Sequence, residues 1–123
     1  GIKLTVSKWK RPSPESAPTN SKAAGLYMIC SLSKHEAEKD GFDDALMLDY
    51  RNFIAEATGA NIFFVKNKKL YSPKPDCFLN GITRQSVIKI AKEHKIQVIE
   101  DHFNIDFLED CEEVFLTGTA AVL

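Results

Sequence analysis

The chain has 123 residues, of which 44% are hydrophobic and 27% charged, and its 16 Lys and Arg against 17 Asp and Glu leave a net charge of −1. That length suits one domain with a proper buried core. The near-zero charge balance excludes a global field for nucleic acid or an anionic membrane.

Residues 2–9 alternate with period two and predict a strand. Pro12, Pro14 and Pro18 then make "KRPSPESAPTN" a loop. From Ala23 to about Lys39, Leu26, Ile29, Cys30, Ser33 and Ala37 recur at three- and four-residue steps, a helix stripe closed by Asp40-Gly41. Short strands follow at 44–48 and 53–57 around the turn "DYRN", and at 61–65 and 69–72 around Asn67-Lys68, a two-residue hairpin. The basic run "KNKK" (66–69) is therefore read as a solvated turn, and "KWKR" (8–11) is too short for a nucleic-acid patch. A loop with two prolines (73–82) leads to a second helix from Thr83 to about His94, with Val87, Ile88, Ile90 and Ala91 clustered on one side. A strand (96–103), a short helical turn (104–111) and a final strand (112–118) complete the order. The expected class is α+β, with a mixed, largely antiparallel sheet, curled or barrel-like, and flanking helices.

No apolar run approaches the roughly 20 residues of a membrane span, and no signal peptide opens the chain. Cys30, Cys77 and Cys111 are far apart without a C-x-x-C pair, which points to reduced thiols in the cytoplasm. His35 and Cys30 lie five apart, poor spacing for joint ligation, so no metal is expected. The start at Gly1 and the end at "TGTAAVL" suggest a piece of a longer polypeptide.

Four features could carry chemistry. Lys22 sits among Ser21, Ala23 and Ala24, with Tyr27 following; taken alone, it reads as a solvated lysine near a helix start. Glu56 interrupts the apolar and small stretch "FIAEATGANIFF", a costly place for a carboxylate unless it has a cationic or hydrogen-bonding partner; a strand-edge glutamate facing water would also explain it. In "LNGITRQS" (79–86) a glycine and a threonine at a helix start make an anion site, though plain capping by Thr83 accounts for the pattern as well. "TGTAA" (117–121) could offer amides and the Thr119 hydroxyl to an oxyanion, or be a tight turn. An amine, an acid and two oxyanion cradles together are the groups needed to hold pyridoxal phosphate.

"KAAGLYMICSLSKHEAEKDGFDDALMLD", "FIAEATGANIFFVKNKKLYSP", "LNGITRQSVIKIAKE" and "CEEVFLTGTAA" resemble, in order and spacing, the class IV pyridoxal-phosphate aminotransferases, and within them the branched-chain amino acid branch. The resemblance covers nearly all of the chain and implies that residues 1–123 are the larger, cofactor-binding domain of a longer enzyme. It implies that Lys22 bonds the cofactor's aldehyde, that the Tyr27 hydroxyl meets its phenolic oxygen, and that Glu56 faces the pyridine nitrogen. Leu79 would cover the ring, Ile82 and Thr83 would hold the phosphate through their amides, and Thr119 would add a hydroxyl. Thr119 and Ala120 would receive the substrate carboxylate. Amino acid and 2-oxo acid substrates and a homo-oligomer, a dimer or a multiple of dimers, are implied too.

Two positions depart from the family pattern. Many relatives carry a second glutamate where Ala60 stands and a proline where Asn80 stands. D-amino acid aminotransferase and aminodeoxychorismate lyase share the fold and the cofactor groups and stay open as activities, as does a non-catalytic folding or dimerisation domain.

Overall fold

The computed structural model describes residues 1–18 and 24–118. Strand β1 (Leu4–Arg11) lies parallel to β2 (Asp44–Asp49), which pairs antiparallel with β3 (Ile54–Ala57). A second sheet has the order β6-β5-β4-β7, built from β4 (Asn61–Lys66), β5 (Lys69–Pro73), β6 (Val98–Asp101) and β7 (Glu113–Thr117). The two parallel pairs are β1 with β2 and β5 with β6, and each is bridged by a helix: α1 (Ala24–Lys39) in the first, α2 (Ile82–Glu93) in the second. Parallel neighbours need such a crossover, whereas antiparallel neighbours can close through short connections. The mixed α+β class is as expected, with the strands divided between two sheets.

Both sheets feed one core. Leu46, Ile54 and Ala57 from the first meet Ile62, Phe64 and Leu116 from the second, with Phe103 from the segment after β6. Phe63 points the other way, into a smaller cluster with Leu70 and Ala91 beneath α2. Successive strand side chains face opposite sides, so "IFFV" (62–65) is apolar throughout because both of its faces are covered. Burying each phenylalanine contributes about 2–3 kcal/mol.

The α1 stripe is placed as the spacing predicts, with Leu26, Cys30, Ser33 and Ala37 buried. Ser33 satisfies its hydroxyl against Ile29 O at 2.8 Å and Ser7 Oγ at 2.6 Å, so a polar residue sits inside the stripe without penalty. The Asn67-Lys68 hairpin is also formed, both residues having positive φ (51° and 61°), the conformation that a two-residue turn between twisted strands demands.

Two local expectations change. The first strand runs on through Lys10 and Arg11, past the point where the prolines suggested a loop. In α2 the buried positions are Arg84 and Ala91, with Val87 and Ile88 half-buried between them, while Ile90 is 55% exposed. The inward stripe follows 84, 87/88 and 91, the three- and four-residue steps of a helix face, and Ile90 falls off it. A buried arginine is tolerated there because every arm is bonded: Nε to Ser72 Oγ, Nη1 to Asn80 Oδ1, and Nη2 to Pro73 O and Glu100 Oε1.

Candidate active site

A cavity of about 480 Å³ opens where the start of α1, the end of β3, the start of β4 and the N-terminus of α2 converge. Tyr27, Glu56, Leu79, Ile82 and Thr83 all line it, although they come from separate stretches of sequence. Lys22, Thr119 and Ala120 lie outside the described residues.

Glu56 sits on β3 opposite Met47, with its side chain 13% exposed. Its partner is Arg11, the last residue of β1, whose Nε stands 3.3 Å from Glu56 Oε2 and also donates to Cys77 O at 2.9 Å. Arg11 is itself buried, 4% exposed. Burial and the ion pair pull the carboxyl in opposite directions. Desolvation drives it up, the guanidinium draws it part of the way back, and the balance leaves it at about 7. Burial wins, so Glu56 keeps a spare affinity for a proton that an ordinary surface glutamate lacks. Cys30, one turn along α1 from Tyr27, completes this end of the cavity; burial first, then the charge of Glu56, pushes its thiol up to about 11, against the pull of Arg11. It is a neutral thiol at physiological pH.

The other end of the cavity is rich in donors. Helix α2 begins at Ile82, one residue before the expected start, and its N-cap is Gly81 with no side-chain cap. Thr83 therefore lies in the first helical turn and is not the cap. The first-turn amides, Ile82 and Thr83 among them, have no partner inside the helix, and they stand at its positive end. Opposite them β7 leaves through Thr117 and Gly118. The Thr117 Oγ1 atom is buried and has no hydrogen-bond partner among the described residues, an open invitation to a polar ligand atom. At Gly118 the backbones are close: an added Cβ would stand 2.9 Å from Gly59 O.

The arrangement thus has an acid that wants a proton at one end and free N–H groups at the other. It suits a ligand that carries both a basic nitrogen and an anionic group. Arg11, Asn61 and Thr117 are the cavity residues that sequence reasoning missed. For Arg11 a signal existed, because a carboxylate in an apolar strand requires a cation somewhere. A different acidic cluster, Asp49, Asp76 and Cys77, has metal-like spacing, but the Arg51 guanidinium lies within it, Nη2 being 2.7 Å from Asp49 and 3.0 Å from Asp76. It is a charge-bridged structural knot that ties the 49–53 turn to the 74–77 loop.

The sequence profile of amino-transferase class IV matches residues 2–123. A probable branched-chain-amino-acid aminotransferase of Rickettsia conorii is 50% identical over 120 residues, covering 98% of this chain and 41% of the relative. Among solved structures, the T.th. branched-chain amino acid aminotransferase complexed with N-(5'-phosphopyridoxyl)-L-glutamate superposes with a TM-score of 0.94 at 40% identity, over 98% of this chain and 40% of that one. An aminotransferase from Brucella abortus bound to the cofactor PLP gives 0.89 at 38% identity, over 96% and 42%. The chain spans about two fifths of the length of these relatives. No helix among the described residues is long and apolar enough to cross a membrane. With nearly its whole length matched by the family profile, the chain belongs to the class IV aminotransferases.

Proposed function

We propose that residues 1–123 form the larger, cofactor-holding domain of a pyridoxal-phosphate enzyme that exchanges amino groups between branched-chain L-amino acids and 2-oxoglutarate. The observation that carries this reading is Glu56, a buried acid held by Arg11 in the same cavity as an uncapped helix start. The names of the relatives support the substrate class, and the phosphopyridoxyl-glutamate complex of one of them supports glutamate and its 2-oxo acid as the second pair.

When bound, the cofactor supplies a ring that accepts the electron pair left as the substrate loses its α-proton. The chain's residues make that possible. Glu56, as an anion, holds a proton at the ring nitrogen, and its spare proton affinity suits it to do so. The amides of Ile82 and Thr83 would hold the phosphate, and Leu79 would cover one face of the ring. Tyr27 would offer its hydroxyl to the phenolic oxygen. Lys22 would hold the cofactor through its amine, and its Nζ would be the base that takes the proton from the substrate α-carbon. By the resemblance, Thr119 would contribute a hydroxyl to the phosphate, and the amides of Thr119 and Ala120 would receive the substrate carboxylate.

The test uses the full-length protein. Borohydride should fix the cofactor on Lys22, as read by peptide mapping, and leucine with 2-oxoglutarate should give glutamate. An adduct on another lysine would sink the site assignment. Turnover confined to D-amino acids, or pyruvate elimination from aminodeoxychorismate, would move the activity to another branch of the family.

A further inference from the structure

Asn61 opens β4 and is 7% exposed. Its side-chain amide is used on both sides: Nδ2 donates to Leu79 O at 3.0 Å, and Oδ1 accepts from the Gly81 N–H at 3.2 Å. Those two backbone groups flank Asn80, so one amide clasps the loop that delivers the chain into α2. The fit leaves no slack, since a Cβ on Gly81 would lie 2.6 Å from Asn61 Oδ1.

The backbone of Asn61 faces the other wall. In the β4–β7 pairing it stands opposite Thr117, the last residue before Gly118. The adjoining Gly59 and Ala60 press on Gly118 closely enough that an added Cβ would meet them at 2.9 and 3.4 Å. Asn61 therefore touches both sides of the donor-rich end of the cavity. Gly81 has extended φ and ψ (−63°, 151°) and no side chain caps the first turn; the other side-chain bond to this loop's backbone, from Gln85 Nε2 to Asn80 O at 3.0 Å, is exposed and comes from α2 itself. The bond from Arg84 reaches the side chain of Asn80, not the amides.

We propose that Asn61 is a positioning residue for anion binding: it sets the spacing between the helix-start amides of Ile82 and Thr83 and the exit of β7, so that a phosphate group is gripped between them. The role rests on the reading given above, in which the helix start takes the cofactor's phosphate. It predicts a loss specific to the phosphate. A purely structural asparagine would lower stability and weaken every ligand alike.

The experiment titrates the full-length, cofactor-free protein with pyridoxal phosphate, pyridoxal and inorganic phosphate, in the wild type and two variants. Asn61→Leu keeps the size and deletes both hydrogen bonds; Gly81→Ala keeps Asn61 and forces the loop off it. Two neutral hydrogen bonds lost at one point predict about a tenfold weaker affinity for pyridoxal phosphate and for inorganic phosphate in each variant, with pyridoxal within about twofold. Equal losses for pyridoxal and its phosphate, or no loss in either variant, would overturn the proposal. If Asn61→Leu does not fold, Gly81→Ala decides alone by the same comparison. A wild type that binds pyridoxal as tightly as its phosphate, and ignores inorganic phosphate, overturns the phosphate-site reading itself and this role with it.

Discussion

Replacing Arg11 by Met should raise the pH at which Glu56 gives up its proton. Burial lifts this carboxyl from 4.5 to about 7, and Arg11 is the group that opposes the rise, with Nε 3.3 Å from Oε2. At that separation two unit charges attract by about 5 kcal/mol at an effective dielectric of 20. Breaking a buried pair by removing one member costs about 3–5 kcal/mol, part of it lost packing. If about 3 kcal/mol is Coulombic, the carboxyl moves up to roughly pH 9 in the variant. The folded value lies above the unfolded one, so the contribution of Glu56 is complete below 4.5 and declines as pH rises through about 7. In the variant that decline continues to higher pH, and the stability gap to wild type should widen between about pH 7 and 9 by about 3 kcal/mol. The assay is the infrared carboxyl stretch of the cofactor-free full-length protein against pH, with Glu56→Gln subtracted as the blank and urea midpoints measured alongside. A wild-type carboxyl that titrates near 4.5, or one that does not move when Arg11 is replaced, refutes the reasoning.

Glu56→Gln should leave the cofactor bound to Lys22 but slow turnover about tenfold to hundredfold, the effect of losing a charged partner worth roughly 1.5–3 kcal/mol in the transition state; unchanged turnover would return Glu56 to the status of a structural carboxylate. Arg84→Met should cost about 3 kcal/mol in urea unfolding, because it strands the buried partners of an arginine that is 1% exposed, and a loss below about 1 kcal/mol would show that those partners find others. The 123-residue chain on its own should bind pyridoxal phosphate weakly and show no transamination, since it spans only about two fifths of the length of its relatives; tight stoichiometric binding in a titration would show the domain to be self-sufficient.

Periodicity carried most of the fold. The α1 stripe and the Asn67-Lys68 turn are local patterns whose chemistry admits few alternatives, and both stand where the sequence placed them. Arg11 was not legible in the same way. The prolines that follow it mark a loop correctly, but they hide that the strand continues to the residue before them, and nothing local says which cation answers Glu56. In α2, hydrophobicity suggested Ile90 as an inward residue and gave no reason to bury Arg84. The arginine goes in because Ser72, Pro73, Asn80 and Glu100, from the loop and two strands, satisfy it. Asn80, a departure from the family's proline, proves to be one of those partners. Asn61 is not singled out within its strand, and its two backbone contacts exist only once the 79–81 loop arrives from elsewhere.

The bond from Arg11 to the carbonyl of Cys77 spans 66 positions. Loop closure over such a distance is an entropic cost with no local reward, so contacts of this kind form after hairpins and helices have already condensed. The acid end of the cavity needs the first strand and the loop before α2 at once; the donor end needs β4 and β7 together, and β7 is the last of these strands to be made. A chain emerging in order from its N-terminus can build α1 and the β4–β5 hairpin early, yet has no enclosed cavity until β7 is in place. The ligand cannot serve as a template for the early stages of folding. It can only select and hold a domain that is already assembled.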